Sequence, residues 1–580
     1  MKILVTFLLL AAGATYALLP PRATVITGGA GAAPPVRGAL HVHTSRSDGT
    51  GDPDTVAAAA ARAGLSFIVF TDHGDGSVEP TAPVYRHGVL CIDAVEISTD
   101  HGHVLALGLP RAPFVVGGAG ADVLEDIARF GGMSILAHPT SARPSLRWTG
   151  GDAGFDGVEW LNGDSEWRDE PALALARVAW TYWFRPAESL ASLLDRPVEA
   201  LALWDRVGGK RALVGVAGAD AHARVGFRNV GEPYDGQPVA RLPSYESSFR
   251  TFSITVPGLR LTGTASRDAV ATLAAIRAGR AVSVLDALAG PASLDFSASN
   301  TAGRVEQGAV LAVNGLVTLR ARATNVAGAR LRLLRDGREI GAADTSGELV
   351  VEQPAEPATY RVEASLPSAP GQPPAPWLVS NAIYLGRLPA VPWAEPTPVE
   401  WPAHRVPLYT DGSSDGWTIE RSARADGRIA VAKAVTGTQL NLRFALGGSR
   451  ADHPFVALAR PLEPPLFGAD ALLFEARASR PMRVSAQLRS RDTGAGRRWT
   501  RSVYLDDTMR RLALPLRDFV PAGHDTALSL DAIGSILFVI DGVNTALGQN
   551  GQVWFDNVAL GGGAPAGGPA APQVRTERRR

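Results

Sequence analysis

"GALHVHTSRSDGTGDPDTVAAAAARAGLSFIVFTDH", residues 38–73, decides how the first half of the chain reads. It opens on an apolar run that carries His41 and His43 two residues apart. Side chains at i and i+2 of a strand share a face, so the two imidazoles are placed to grip one ion. Such a pair alone is weak evidence, because surface or hydrogen-bonded histidines give the same pattern. The stretch then turns through an acidic Ser47-Asp48-Gly49 corner into a helix. Asp52 is its N-cap, Pro53 its first helical residue, and Gly64 falls just past its end. "LSFIVFTDH" follows as a second apolar strand.

The alternation continues outward from this stretch. "GVLCIDAVEIST", "HVLALGL", the helical "ADVLEDIARFGG", "MSILAHPT" and "GVEWLN" come next, then a helical region around residues 170–208 and "RALVGVAGADAH". A helix at 268–279 and the strand "RAVSVLD" close the pattern near residue 288. Continuous apolar strands between helices predict an α/β domain with a parallel sheet covered on both faces. In a barrel of such units the C-terminal rim of the strands is where active sites are built.

Further along the chain, partial alternation and an Asp336-Gly337 turn predict a β-sandwich of immunoglobulin-like type over residues 289–388. A proline-rich linker, 389–402, leads to a second all-β region, 403–562, and the Gly/Ala/Pro-rich tail 563–580 reads as disordered. At the other end, Lys2 precedes an apolar run over residues 3–19. It reads as a signal peptide or an uncleaved N-terminal anchor, with cleavage expected after Ala17, followed by a linker over 20–36. The body is therefore expected to be exported, periplasmic or extracellular, and to meet a membrane only if this segment is retained. The balance of 57 acidic and 57 basic residues gives no reason to expect a nucleic-acid partner. The single cysteine, Cys91, excludes an intramolecular disulfide framework.

Metal-capable residues gather at the strand ends of the first domain: His41, His43, Asp48, His73, Glu96, His103, His138, Asp220 and His222. Eight of the 11 histidines lie before residue 223, and six of those eight fall at predicted strand termini. Chance accounts for one such placement but not for all six on one rim. Glu96 and Asp220 sit in apolar surroundings, where an unpaired carboxylate is costly and a cation or strong hydrogen bonds are required.

The pattern HxH, SDG, TDH, E, GHV, AHP and GADAH resembles the PHP family, named for its polymerase and histidinol-phosphatase members. The resemblance covers residues 37–288. It implies a distorted (β/α)7 barrel holding two or three divalent ions: zinc, manganese or iron. It implies one site from His41, His43, Glu96 and Asp220, and a second from Asp48, His73 and His222. A third would come from Glu96, His103 and His138, with Glu96 bridging. Some members have histidine where this chain has Asp48, and His101 is the alternative to His103.

Three divalent ions, three carboxylates and a bridging hydroxide leave a formal remainder of about +2, which a phosphate monoester would neutralise. The expected function is an exported, metal-dependent phosphoesterase acting on a small anionic ester. Glu96 and Asp220 belong to its catalytic centre, and Arg46 and Arg224 are candidates to hold phosphate. The segment 159–170 is a further candidate to support the metal ligands or hold substrate, and Trp160 and Trp167 are candidates to wall the cleft. With two ions the remainder is about zero, and a carboxyl or carbamate ester becomes the alternative substrate. The sandwich ending "PWLVSNAIYLG" points the same way, resembling exported PHP proteins related to carbamate-ester hydrolases. A non-catalytic, metal-stabilised carbohydrate-binding surface protein is the third reading. Residues 403–562 resemble galactose-binding-like jelly rolls through their strand pattern and the closing "VWFDNVAL". Trp401, Tyr409 and Trp417 are placed to stack on sugar rings of a carbohydrate partner.

Overall fold

The strand Val36–Val42, the helix Pro53–Arg62 and the strand Phe67–Phe70 form where the opening stretch places them. The Asp52 carboxylate accepts from the Thr55 amide at 2.7 Å, and Gly64 takes φ 76° just past the helix. The computed structural model describes residues 13, 15–26, 35–152, 154–168, 170–225, 240–387, 400–409, 412–449, 452–462, 469–491, 496–523 and 526–562. The start of the apolar leader, the stretch 27–34, most of the proline-rich linker and the tail 563–580 lie outside the described residues. The chain divides into two units, Met1–Ala112 with Gly117–Ala394, and Pro113–Val116 with Glu395–Arg580.

In the first unit, one sheet runs Val214–Gly218, Gly157–Asn162, Met133–Leu136, Gly102–Leu107, Val95–Thr99. The other sets Val36–Val42 between Phe67–Phe70 and Ser253–Val256, and extends through Val89–Asp93 on one side and Val282–Val284 on the other. Leu40, Phe67 and Val69 share an apolar cluster with Leu105, Ile135 and Val216 of the first sheet, so this core lies between the two. The helix Pro53–Arg62 packs Val56, Ala57 and Ala60 on the outer face, against Ala39 and Ile68.

The expected (β/α)7 barrel is not what these strands build. Among the described residues, strand accounts for 40% and helix for 16%. Val95–Thr99, Gly102–Leu107 and Met133–Leu136 pair antiparallel in sequence, and Ser253–Val256 is antiparallel to both of its neighbours. Loop length is one reason. Only Asp100 and His101 separate two of these strands, which closes a hairpin, whereas a parallel return needs about a dozen residues. The larger sheet also continues outward: Val282–Val284 pairs with Leu378–Ser380, which carries it into the strands of residues 310–385.

The first unit also holds a four-stranded antiparallel sheet, Gly303–Glu306, Leu294–Asn300, Leu316–Ala323 and Leu349–Pro354. Along Leu316–Ala323 the buried Val317, Leu319, Ala321 and Ala323 alternate with more exposed neighbours, as in a sheet with one covered face. The second unit is a sandwich of two antiparallel sheets around one apolar core. Phe538 of one sheet stacks on Phe555 of the other at 4.3 Å and meets Phe474 at 4.9 Å. Tyr409 and Trp417 belong to that core, so they do not form an exposed sugar platform. Trp401 is half-buried, with the guanidinium groups of Arg405 and Arg511 over its ring.

Candidate metal centre

Nine predicted ligands converge where the two sheets of the first unit meet. Val42 bridges Ala221 and His73 bridges Glu96, both in parallel, which joins the strand ends at this point. His41 closes the strand Val36–Val42 at a register shift, and His43 follows that strand. Glu96 and His103 lie on the hairpin strands; His73, His138, Asp220 and His222 follow the strand ends. Asp48 sits at the corner turned by Gly49, where an added Cβ would meet the His43 carbonyl at 2.4 Å. Three of these residues have left-handed backbones: His41 at φ 61°, His138 at φ 31° and Asp220 at φ 46°. Such conformations cost of order 1–3 kcal/mol each and persist where the surroundings over-determine them.

Glu96 is the hub. Its Oε2 lies 3.2 Å from His41 Nε2, 3.1 Å from His43 Nε2 and 3.4 Å from His73 Nδ1. Its Oε1 faces His103 Nδ1 at 2.9 Å and His138 Nε2 at 3.1 Å. Asp220 Oδ1 stands 3.3 Å from His41 Nε2 and 3.4 Å from His43 Nε2. Asp48 collects the remaining side: His43 Nδ1 at 3.4 Å, His222 Nε2 at 3.3 Å and His73 Nε2 at 3.7 Å. His43 and His222 stack at 4.0 Å between ring centres.

The donor atoms fall into four groups able to hold a metal ion: His43, Asp48, His73 and His222; His41, His43 and Glu96; His41, His138 and Asp220; and His73, Glu96 and His103. This partition shares residues more widely than the three-site division expected from sequence. His41, His43 and His73 each appear in two groups, and His138 stands with His41 and Asp220. His101 is elsewhere: its Nδ1 accepts from the Gly120 amide at 3.0 Å.

Electrostatics follow from burial among opposite charges. Burial disfavours a charged His43, yet the adjacent carboxylates of Asp220 and Glu96 outweigh it and raise its pKa to about 10. His41 is raised in the same way, against burial, by Asp220, Glu159 and Glu96. Burial works against ionised Glu96 and Asp220 as well, but His41 heads the surrounding histidines that hold both well below the usual carboxylate range. Asp48 is lowered to about 2, chiefly by His222 once its desolvation is overcome. Without metal the cluster therefore holds protons that an ion would displace.

A second layer of side chains orients the first. Glu159, only 1% exposed, accepts from His41 Nδ1–H at 2.8 Å, from the His138 amide at 2.8 Å and from Asn162 Nδ2 at 2.9 Å. This fixes the His41 tautomer and leaves Nε2 facing the cluster, the usual arrangement behind a metal-binding imidazole. Tyr245 donates to the His43 carbonyl at 2.9 Å, and the Thr50 amide donates to its hydroxyl at 3.1 Å. Asp72, not singled out in the sequence although it precedes His73, accepts from the Thr44 amide at 2.7 Å and the Ser47 hydroxyl at 2.8 Å.

Arg46, a candidate phosphate ligand, instead pairs with Asp93 at 2.6 Å and Asp72 at 2.9 Å. Arg224 donates to the Asp48 carbonyl at 2.9 Å. Trp160 is core, with its indole N–H on Ser283, and Trp167 donates to Asp164.

The residues fit a metal. Six imidazoles and three carboxylates are a nitrogen–oxygen donor set able to hold a metal ion. His43 Nε2 is buried with carboxylate oxygens at 3.1 and 3.4 Å, yet makes no hydrogen bond of acceptable geometry. Ligand atoms crowded around a common centre without satisfying one another have this geometry.

No protein-family model and no curated protein matches the chain. Among solved structures it is similar to the family 11 carbohydrate-binding module of the cellulosomal cellulase Lic26A-Cel5E of Clostridium thermocellum. That match has 16% identity and a TM-score of 0.24, and covers 28% of this chain and 95% of that one. It is also similar to a family 30 carbohydrate-binding module, with 13% identity, a TM-score of 0.23, and 28% and 99% of the two chains covered. An agarase, AgWH50C, matches with 10% identity and a TM-score of 0.20, over 28% of this chain and 25% of its own.

Proposed function

We propose that the first unit is a metal-dependent hydrolase whose substrate is a small ester, with a phosphate ester as the leading class. One observation carries this reading. Glu96 presents one oxygen to His41, His43 and His73 and the other to His103 and His138, the geometry of a carboxylate able to bridge two ions. The order of ligand blocks along the sequence, similar to the PHP family's, supports it further. Divalent ions in such a donor set supply Lewis acidity and water activation. The chain's own residues hold the donors in place, through Glu159 behind His41 and Tyr245 behind His43. A cavity of about 340 Å³, reached by His138 and Glu159 and edged by Ser141, Ser165, Arg147 and Arg196, offers space for the rest of the substrate.

Glu159 sharpens the charge argument. Its carboxylate adds one negative charge beside His41, so the formal remainder falls to about +1 with three ions and about −1 with two. A three-ion centre still attracts a phosphate; a two-ion centre repels it and suits a neutral carboxyl or carbamate ester. The pairing of Arg46 with Asp72 and Asp93 favours that second reading, because it removes an expected phosphate clamp.

The test is a rate comparison on full-length protein loaded with zinc or manganese, using 4-nitrophenyl phosphate and 4-nitrophenyl acetate. Chelator-sensitive phosphate hydrolysis, reduced more by Asp48→Ala than acetate hydrolysis, is the expected result. Equal loss on both substrates would shift the assignment to carboxyl esters. Absence of chelator-sensitive turnover on either would remove the hydrolase reading.

A further inference from the structure

Outside the metal centre, the helix Ala172–Thr181 and the turn after it carry an exposed apolar face. Leu173 is 83% exposed, Trp180 53%, Trp183 71% and Phe184 58%. With the exposed Ala176, these residues fall at i, i+3, i+7, i+10 and i+11, one side of a helical spiral. The opposite side is fixed to the fold: Val178 and Thr181 are buried, and the Tyr182 hydroxyl contacts Ser247 Oγ at 2.8 Å and accepts from the Ser244 amide at 2.9 Å. Exposed tryptophan and phenylalanine in such a cluster are held out by the fold.

The N-terminal segment arrives at this same face. Residues 15–18 are helical, with Tyr16 and Leu18 exposed. Trp180 Nε1 donates to Thr15 Oγ1 at 3.2 Å, Arg177 Nε to the Leu18 carbonyl at 3.0 Å, and Arg185 to the Pro20 carbonyl. Beyond Pro20, which is buried, Thr24–Val25 pairs with Ala289–Gly290. Before Thr15 the sequence from Ile3 to Ala12 has a single polar residue, Thr6, and no charge.

We propose that this face docks on a lipid bilayer, with the N-terminal apolar segment retained as an anchor beside it. The chain entering at Thr15 identifies the occupant: the sequence leading to it, from Ile3 to Ala12, is uncharged and apolar but for Thr6, a composition that a bilayer accepts. Among the described residues no helix is long and apolar enough to cross a membrane, and the ten-residue helix Ala172–Thr181 spans only about 15 Å. It therefore lies in the interface, where tryptophan is enriched. The retained segment supplies the anchoring, and the aromatic face rests in the interface beside it.

Cys91 is the chain's sole cysteine and is buried, so a single surface thiol can report on the face. Full-length Trp183→Cys and Val270→Cys, the latter 70% exposed on another helix, are labelled with an environment-sensitive fluorophore. Each is reconstituted into phosphatidylethanolamine–phosphatidylglycerol vesicles. The label at 183 should become at least about fivefold less accessible to a water-soluble quencher than before vesicles are added, while the label at 270 stays accessible. Intact mass of the membrane fraction should include residues 1–17. Unchanged quenching at 183 overturns the proposal. Shielding at 183 before vesicles are added also overturns it, because the chain's own N-terminus or a second copy then covers the face. A mass showing cleavage after Ala17 removes the anchor and overturns it as stated.

Discussion

At His41 the chain leaves the strand conformation: φ is 61° and the pairing with Phe67–Phe70 slips between Ala39 and Val42. His41 and His43 therefore meet in one cluster, with ring centres 5.2 Å apart, without the regular alternation that made them candidates. Their chemistry was legible in the sequence; the left-handed backbone was not, because histidine carries no local signal for it. Glu159 shows the same limit. It fell inside the segment 159–170 named to support the ligands or hold substrate, but only the fold reveals that its carboxylate faces His41. Glu159→Gln should keep the shape and weaken the acceptor, lowering metal affinity by about 10–100-fold, as outer partners of metal-binding imidazoles do. Competition with a chromogenic chelator measures this, and unchanged affinity would show that Glu159 does not orient His41. The pH response follows from the protons the cluster holds. His43 titrates at about 10 in the metal-free fold against 6.5 unfolded, so its stabilisation is complete below pH 6.5 and is lost as pH rises through 10. Asp48, at about 2 against 3.8, stabilises above pH 3.8 and ceases to as pH falls through 2. Metal-free protein should therefore melt highest between about pH 4 and 6.5 and lower on either side, whereas metal-loaded protein gains on the alkaline side because ions need neutral imidazoles. Thermal melts with and without chelator check the sign; a metal-free Tm that rises from pH 7 to 10 contradicts it.

Among the elements, strand Val214–Gly218 leaves no room beside Glu159. A Cβ at Gly218 would fall 1.7 Å from Glu159 Oε1. Gly218→Ala should thus push the carboxylate off His41, destabilising the fold by about 1–3 kcal/mol and lowering metal affinity together. Denaturant titration beside metal titration reads both, and a variant with normal values for each would show that the strand can yield. The strands themselves were legible as apolar runs, but their partners were less so. The two-residue turn Asp100-His101 was a hairpin signal in plain view, and it argues against parallel strands throughout. The union of residues 282–284 with 378–380 had no local signal, since register between distant strands is set by tertiary packing. That union governs where the chain can be cut. Asn381 Nδ2 donates to the carbonyls of Gly215 at 3.0 Å and Ala281 at 2.8 Å, and the Leu213 amide donates to the Tyr384 hydroxyl at 3.0 Å. A chain ending at residue 288 should lose these contacts and fail to fold, whereas one ending at 388 should fold and bind metal. Circular dichroism and metal content of the two decide it; a stable, metal-binding 1–288 chain would contradict the shared sheet.

In the whole molecule, one unit holds the metal-capable cluster and the other is a separate sandwich around Phe474, Phe538 and Phe555. The second unit's many short apolar-alternating strands made its all-β character legible. Its aromatics misled, because sequence does not distinguish a buried tryptophan such as Trp417 from one aimed at solvent. The central claim concerns the first unit alone: Glu96 joins the two sides of a metal centre. Metal content of the full-length protein, loaded with zinc or manganese and then desalted, tests it most directly when wild type is set beside Glu96→Gln. The control is His87→Asn, whose imidazole lies outside the cluster on Asp54 and whose backbone, at φ 50°, asparagine tolerates. The wild type and the control should bind equally, at about two to three equivalents per chain, with Glu96→Gln lower by about one to two. Full metal content in a folded Glu96→Gln protein would contradict the bridge.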